Sequence, residues 1–256
     1  MIALLTDFGT RDEYAGVVKG VIYSINPDVK IVDLSHEIPA QDVLWGSMVI
    51  YKSYRYFPKG TIFLSVVDPG VGSKRDIIIL KAAGYYFIAP DNGLLSLVYS
   101  SFRNKKVIRV NQDKFSLKPT SCTFHGRDIF AYTAGYLSMR KRVSGFGTGV
   151  KSINIKKFPE PLFKKKEIQA EVVHIDRFGN LITNLEREVF LKLNWASVKI
   201  VVKNKFIKGI SSCYQESRDL AAVWDSRDLL EIAVPNKNAA RVLKARKGDT
   251  VKLIRG

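Results

Sequence analysis

The stretch TIFLSVVDPGVGSKRDIIIL, residues 61–80, joins two apolar runs through a glycine-rich turn. The first run ends at Asp68 and is typical of a parallel strand that is covered on both faces by helices. The turn lacks the GK[ST] ending of a P-loop, and a strand rather than a helix follows it, so a phosphate cradle is not indicated. Two interpretations of Asp68 and Arg75 stay open: a structural ion pair that closes the turn, or an active-site carboxylate with a nearby guanidinium.

Strands and helices alternate on both sides of this stretch. Apolar runs predict strands in IALLTDF, VKIVDLS and TIFLSVVD, and a hairpin in DIIILKA and YYFIAP. Helical spacing is seen in EYAGVVKGVIYSI, AQDVLWGSMVIYKSYRYF and GLLSLVYSSF. This alternation predicts an α/β domain with a largely parallel sheet flanked by helices. Ligands bind at the carboxyl ends of such strands, where Asp7, Asp33 and Asp68 fall.

The pattern changes after KKFPEPLFKKK. Five segments, IQAEVVHIDRFGN, SVKIVVKNKFI, LAAVWDS, LLEIAV and DTVKLI, read as strands with little helix between them. We therefore place a boundary near residues 158–167. The α/β domain is expected over residues 1–160, and a small all-β barrel domain over residues 168–256.

The chain carries a formal net charge of +17. Such an excess is compatible with nucleic acid or an anionic membrane, but also with a solvated lysine-rich surface. The lysines are dispersed, and the run FKKK at residues 163–166 is interpreted as a linker or exposed face. The barrel strands show no aromatic-rich stacking face, which argues against a nucleic-acid partner.

The rest of the composition indicates a soluble cytoplasmic protein. The two cysteines, Cys122 and Cys213, form no disulfide or metal-ligand framework, and we expect Cys122 to be a small packing residue. No signal peptide or membrane span is recognised. The histidines at 36, 125 and 174 show no metal-binding spacing, so no metal site is expected.

Three polar constellations are candidates for chemistry. Asp7 ends the first strand, where a carboxylate can accept hydrogen bonds from a ribose diol, whereas Asp12 also fits a helix N-cap. His125 in TFHGRD has three open roles: part of a cap and salt bridge, a base for Cys122, or a member of a site with other loops. In HIDRFGN, Phe178 and Asn180 could form a hairpin turn or supply a face and an edge for adenine.

Seven segments carry a resemblance to one family. They are LLTDFGTRDEYAGVVKGVI, IVDLSHEIPAQD, VVDPGVGS, APDNGLLSLV, TFHGRDIFA, HIDRFGNLITN and LLEIAV. In sequence and order they resemble the S-adenosylmethionine (SAM) hydroxide adenosyltransferases, the adenosine-forming SAM hydrolases related to fluorinase and chlorinase. The resemblance implies an α/β domain joined to a β-barrel. It also implies a homotrimer whose active sites lie between the first domain of one subunit and the second domain of the next.

The resemblance further implies substrate-binding roles. Asp7 would bind the ribose hydroxyls, and Asp12 would lie near the methionine part. Phe178 would stack on adenine, and Asn180 would bind its edge. The methionine ammonium and carboxylate would be held by Asp176, Ser226 and Arg227. The chain departs from the family pattern at Asp225, where relatives usually carry asparagine, and at Gln41, where halogenases carry tryptophan.

The same resemblance implies the nucleophile. Halogenases carry tyrosines at the positions of Asp68 and His125, whereas Asp68, Arg75 and His125 form the set associated with water-using members. A carboxylate would also repel a halide. The implied reaction is attack of water at C5′ of SAM, giving adenosine and L-methionine without a metal or organic cofactor. Asp68 would accept the proton or orient the water, Arg75 would fix Asp68, and His125 would be a second water ligand. A halide or other nucleophile adenosyltransferase and a basic RNA-binding protein are the alternatives.

Overall fold

A computed structural model describes residues 1–139, 142–217 and 219–256. The chain forms two compact units, Met1–Phe158 and Pro159–Gly256. Among the described residues, no helix has both the length and the apolar character that crossing a bilayer requires.

The first unit contains a seven-stranded mixed sheet. Its strands are β1 (Ile2–Thr6), β2 (Ile31–Ser35), β3 (Ile62–Val66), β4 (Ile77–Ala82), β5 (Tyr85–Pro90), β6 (Lys105–Val110) and β7 (Gly147–Val150). They are ordered β2-β1-β3-β5-β4-β6-β7. The first four strands of that order run parallel, and the β4–β5 hairpin introduces the antiparallel half. The predicted α/β class is confirmed.

Helices cover this sheet. They are α1 (Tyr14–Ile25), α2 (Val43–Ser53), α3 (Ser96–Ser101) and α4 (Tyr132–Ser138), and a π-helical segment, Gly126–Ala131, leads directly into α4. In α1, Val18 and Ile22 lie one turn apart and are buried against β-strand residues such as Leu4 and Leu64. The helix ends before Pro27, which cannot continue the backbone hydrogen bonding.

The second unit is an antiparallel, nearly closed barrel. Its strands are β8 (Leu162–Lys164), β9 (Glu167–Ile175), β10 (Leu181–Glu186), β11 (Val198–Val202), β12 (Lys205–Lys208), β13 (Ala221–Trp224), β14 (Leu229–Ala233) and β15 (Thr250–Arg255), with short helices α5 (Arg187–Leu191) and α6 (Ala239–Leu243). The order is β12-β11-β15-β9-β10-β14-β13, and β8 also pairs with β9. Beyond β12, the Ser211 amide donates to the Ala222 carbonyl at 2.8 Å, which brings the two ends of the sheet together. The predicted barrel is confirmed.

Two local expectations are wrong. Asp12 does not cap α1, because the helix begins at Tyr14 after Glu13 and no side chain caps it. Cys122 is not a buried packing residue, because it is exposed. The carbonyl group of Cys122, in contrast, lies close to Gly72.

Candidate active site

Asp68 and Arg75 form a buried ion pair at the end of β3. Arg75 Nε donates to Asp68 Oδ1 at 2.7 Å and to Oδ2 at 2.8 Å, and Arg75 Nη2 also contacts Oδ2. Only 5% of the Asp68 side chain and 8% of the Arg75 side chain are exposed. An ion pair this buried is costly to desolvate, so it is weak grounds for a purely stabilising role. The arrangement fixes both oxygens of the carboxylate.

Gly72 brings this turn against the segment that carries His125. Its φ is +79°, and a Cβ at this position would lie 2.5 Å from the carbonyl oxygen of Cys122. A larger residue would therefore be strained in its backbone and would push the two segments apart. Asn92 supports the strand end from the other side by donating from Nδ2 to the Val67 carbonyl at 2.9 Å. The glycine thus allows Arg75 to reach His125.

His125 is buried and contacts the guanidinium of Arg75. Its Nδ1 lies 3.1 Å from Arg75 Nη2. A guanidinium can only donate, so Nδ1 must accept and the ring proton must be on Nε2. Burial, followed by the charge of Arg75, lowers the pKa of His125. The histidine is therefore held neutral, with Nε2–H as the group that can donate.

Arg75 retains one unused donor. Its Nη1 is buried and has no hydrogen-bond partner among the described residues. A buried N–H group without a partner costs about 1–3 kcal/mol, which a small polar ligand would recover. The cluster therefore combines a fixed carboxylate with two N–H donors, as the binding of a water molecule requires.

Asp7 lies next to this cluster on the neighbouring strand. Thr6 of β1 pairs with Val66 of β3, so Asp7 and Asp68 follow adjacent parallel strands. The backbone amide of Gln41 donates to Asp7 Oδ2 at 2.8 Å. Burial raises the pKa of Asp7. Hydrogen bonds from backbone amides, including that of Gln41, lower this pKa, and the charge of Asp68 raises it. Asp12 is exposed in the turn before α1.

Three aromatic residues join the Asp7 turn to the His125 turn, and we did not predict them from the sequence. The ring centroids of Phe8 and Phe124 are 5.9 Å apart, and those of Tyr14 and Phe124 are 5.1 Å apart. A Cβ at Gly126 would lie 3.0 Å from Phe8. The available signal was the repeated Phe-Gly or Phe-His-Gly after each strand or loop, in TDFG and TFHG.

In the second unit, the five predicted binding residues line one open groove of about 1130 Å³. They are Asp176, Phe178, Asn180, Ser226 and Arg227. Tyr214, Asp225, Glu231 and Lys237 also line it. The sequence had separated these residues into two motifs, which the groove brings together.

Asp176 shapes the turn that carries Phe178. Its Oδ1 accepts hydrogen bonds from the amides of Phe178 and Asn180, each at 2.9 Å. Gly179 has a φ of +89°, and a Cβ there would overlap the side chain of Asn238. Phe178 is 76% exposed. The turn therefore holds an aromatic ring in solvent on a well-connected backbone, as a stacking surface requires.

Asp225 pairs with Arg227. Asp225 Oδ2 accepts from Arg227 Nε at 2.8 Å and lies 2.7 Å from Nη2. Its Oδ1 accepts from the amides of Arg227 and Leu229, which closes the β13–β14 turn. The charge of Arg227 is thus partly neutralised within the protein before any ligand arrives.

Glu231 and Tyr214 form a further polar pair in the groove, which we also did not predict. Glu231 is only 3% exposed, and the Tyr214 hydroxyl donates to its Oε1 at 2.7 Å. Burial raises the pKa of Glu231, and the charges of Asp176 and Asp225 add to that effect. Glu231 lies in the segment LLEIAV, where strand alternation alone does not distinguish it from an ordinary polar residue.

The two units match the two parts of one protein family. Residues 2–147 match the SAM hydroxide adenosyltransferase N-terminal domain, and residues 170–252 match its C-terminal domain. The chain belongs to the SAM hydroxide adenosyltransferase family.

Individual relatives extend over the whole chain. A protein of Methanocaldococcus jannaschii named (R)-S-adenosyl-L-methionine hydrolase is 32% identical over 99% of this chain and 95% of its own length. A Thermus thermophilus protein of the same name is 31% identical over 99% of both chains. A fluorinase of Actinoplanes sp. is 28% identical over 73% of this chain and 72% of its own. The crystal structure of an uncharacterized conserved protein from Thermotoga maritima is similar with a TM-score of 0.91, at 36% identity over 100% of both chains.

Proposed function

We propose that the protein hydrolyses S-adenosyl-L-methionine to adenosine and L-methionine by attack of water at C5′. The observation that carries this proposal is the buried cluster of Asp68, Arg75 and His125 at the carboxyl end of β3. The relatives named (R)-S-adenosyl-L-methionine hydrolase support it over nearly the full length of the chain. Their name also makes the (R) configuration at sulfur the first epimer to test.

The chemistry needs alignment and one proton acceptor. The water oxygen forms a bond to C5′ while the C5′–S bond breaks. The electron pair of the C5′–S bond moves to the sulfur and neutralises the sulfonium. Methionine therefore leaves as a thioether without a general acid. An N–H group of Arg75 Nη1 or His125 Nε2 holds one lone pair of the water oxygen, the other lone pair attacks C5′, and one of the two water protons passes to Asp68. His125 is not the acceptor, because Nδ1 is occupied by Arg75 and Nε2 already carries the proton.

The remaining residues hold the substrate. Asp7 binds the ribose diol, Asp12 faces the methionine part, Phe178 stacks on adenine and Asn180 binds its edge. Asp176, Ser226 and Arg227 bind the amino-acid end. We further propose a homotrimer in which the groove of one subunit serves the Asp68 cluster of another. No metal or organic cofactor is needed, because the sulfonium carries its own activation, and the exposed free thiols of Cys122 and Cys213 fit a reducing cytoplasm.

The Asp68 carboxylate favours water over a halide. Asp68 is 5% exposed, and Arg75 offsets part of its charge. A water molecule can donate a hydrogen bond to this carboxylate, whereas a halide cannot and is repelled by its remaining charge. We therefore expect adenosine, rather than a 5′-halogenated nucleoside, when substrate and halide are supplied together.

One incubation tests the proposal. Each epimer of SAM is incubated with the protein in isotopically labelled water, with and without chloride. Label in the 5′-hydroxyl of adenosine, together with free methionine, is the expected result, and unlabelled adenosine or a halogenated product would overturn it.

A matched pair of variants assigns the site. Asp68→Ala should lose turnover by about 100-fold or more while SAM still binds. Asp76→Ala removes a carboxylate that is 40% exposed and contacts Arg109, and it should leave turnover unchanged. Equal turnover in the two variants would remove Asp68 from the mechanism.

A further inference from the structure

His36 is a buried polar residue to which the proposed chemistry gives no role. It follows β2 and is only 6% exposed. Its Nδ1 lies 2.8 Å from the Thr6 hydroxyl oxygen. Its Nε2 lies 3.1 Å from Asp33 Oδ1, close in distance but outside hydrogen-bond geometry. The ring therefore lies between Asp33 and Thr6, and Thr6 immediately precedes Asp7.

The Thr6–His36 contact belongs to a set of bonds that joins the turn after β1 to the turn after β2. The Thr6 hydroxyl also accepts from the Phe8 amide at 3.2 Å, so it lies inside the Asp7 turn. The Gly9 amide donates to the His36 carbonyl at 2.8 Å. The Ile38 amide donates to the Thr6 carbonyl at 3.3 Å. Thr6, directly before Asp7, and Gly9, two residues after it, are thus tied to His36 or its neighbours.

The second turn ends at the residue that holds the Asp7 carboxylate. Gln41 has a φ of +65°, a conformation that costs a non-glycine residue about 1 kcal/mol or more. In this conformation its amide donates to Asp7 Oδ2. The surrounding structure must hold the turn in this state. The bonds of His36 to Thr6 and Gly9, together with the bond from Ile38 to Thr6, are cross-links between the two turns.

We propose that His36 is a positioning residue for the nucleoside: through Thr6 and the residue 36–41 turn, it fixes the Asp7 carboxylate for the ribose 2′ and 3′ hydroxyls. A carboxylate that accepts two hydroxyls at once needs a fixed plane, and a loosened turn would lose this bidentate contact first. The inference rests on the proposed function, because it assumes that Asp7 binds the diol.

The test compares two nucleosides that differ only in the diol. Dissociation constants of adenosine and 2′,3′-dideoxyadenosine are measured with the full chain for the wild type, His36→Leu and Thr6→Val. Thr6→Val removes the hydroxyl that contacts His36 Nδ1 while keeping the β-branched shape. Thr6→Ser restores a hydroxyl. Thr133→Val is the matched control, because Thr133 is also fully buried but its hydroxyl has no hydrogen-bond partner among the described residues.

The wild type should bind adenosine more tightly than the dideoxynucleoside. We expect His36→Leu and Thr6→Val to reduce that preference about tenfold, the scale of one lost hydrogen bond to a charged group, by weakening adenosine alone. Thr6→Ser and Thr133→Val should keep the wild-type preference. General destabilisation lowers both affinities together and leaves the ratio in place.

Two results would overturn the inference, and they are distinguishable. In the first, the preference for adenosine survives in both His36→Leu and Thr6→Val, or it also falls in Thr133→Val. Either outcome rules out a positioning role for His36 and leaves the proposed function intact. Equal binding of the two nucleosides by the wild type removes the ribose role of Asp7 and the inference with it. If His36→Leu does not fold, the milder Thr6→Val variant decides.

Discussion

The Nη2 atom of Arg75 lies 3.1 Å from Nδ1 of His125, so a permanent cation faces the accepting nitrogen of a buried imidazole. Burial and this charge act in the same direction on the histidine, and its pKa is lowered. Asp68 acts in the opposite direction but does not prevail. Arg75 therefore has two effects in the cluster: it orients the carboxylate, and it keeps the imidazole neutral.

Removal of the Arg75 charge should raise the pKa of His125. In Arg75→Gln the burial effect remains, but the cation is lost while Asp68 still favours the protonated ring. The pKa is measured by NMR titration of the ring protons, with His36 and His174 as references in the same spectra. Unchanged titration of His125 would show that Arg75 does not control it.

The pH dependence of turnover should follow the same group. Because the pKa of His125 lies below its ordinary value of 6.5, the neutral form persists to lower pH than in a free histidine. We expect kcat/KM to be level across neutral pH and to fall on acidification only below 6.5. The profile is recorded for the wild type and for Arg75→Gln, in which the fall should begin at higher pH. A midpoint above 6.5 in the wild type would contradict the assignment.

Gly72→Ala should separate the Asp68 turn from the His125 segment. A Cβ would meet the Cys122 carbonyl at 2.5 Å in a backbone conformation that alanine disfavours. A displacement of about 1 Å at a reacting group can reduce kcat about 100-fold, which is the loss we expect. Gly20→Ala is the control, because nothing lies within 4 Å of a Cβ at that helical position. Full activity in Gly72→Ala would show that the two segments need not touch.

Phe178→Ala should weaken substrate binding without affecting stability. The ring is 76% exposed, so it contributes little to the core, but a stacked base loses about 1–3 kcal/mol without it. KM should rise about tenfold or more, with an unchanged Tm. Phe206→Ala is the matched control, since that ring is 63% exposed in the same unit and contacts Lys199. A similar rise in KM for both variants would point to a general surface effect.

Asp225→Asn should increase the affinity for the substrate carboxylate. The asparagine keeps an oxygen for the amides of Arg227 and Leu229, but it removes the negative charge that pairs with the guanidinium. We expect KM for SAM to fall several-fold and KM for decarboxylated SAM to stay constant. Steady-state kinetics on both compounds measures the difference. An equal change for both would mean that Arg227 does not bind the carboxylate.

Much of the fold could be predicted because its signals are local. Apolar runs, helical spacing and the change of pattern near Pro159 are each visible within a short window of sequence. The antiparallel half of the first sheet was less accessible, because the position of β4 between β5 and β6 depends on long-range pairing. The cap expected at Asp12 failed because a suitable residue type near a helix start does not fix where the helix begins.

The candidate site could be predicted only in part, for a similar reason. Asp68 and Arg75 are seven residues apart, and their pairing was one of the two interpretations of the turn. The contact of Arg75 with His125 spans fifty residues and depends on Gly72, whose close neighbour is a backbone carbonyl elsewhere in the chain. Glu231 was missed because a buried acid in a strand looks like any alternating polar residue, and Tyr214 was missed because its partner lies 17 residues further along the chain. The roles of all these residues in turnover stay predictions.

The bond between Ser211 and Ala222 has a consequence for assembly. Where the two sheet ends meet, the backbone groups of Ser211 and Ala222 that bond each other are not available for strand addition by another polypeptide. Subunits that associate through this part of the barrel then recognise each other by side chains and turns. Each of these contacts can be altered separately by mutation. The same closure guards the barrel against edge-to-edge aggregation.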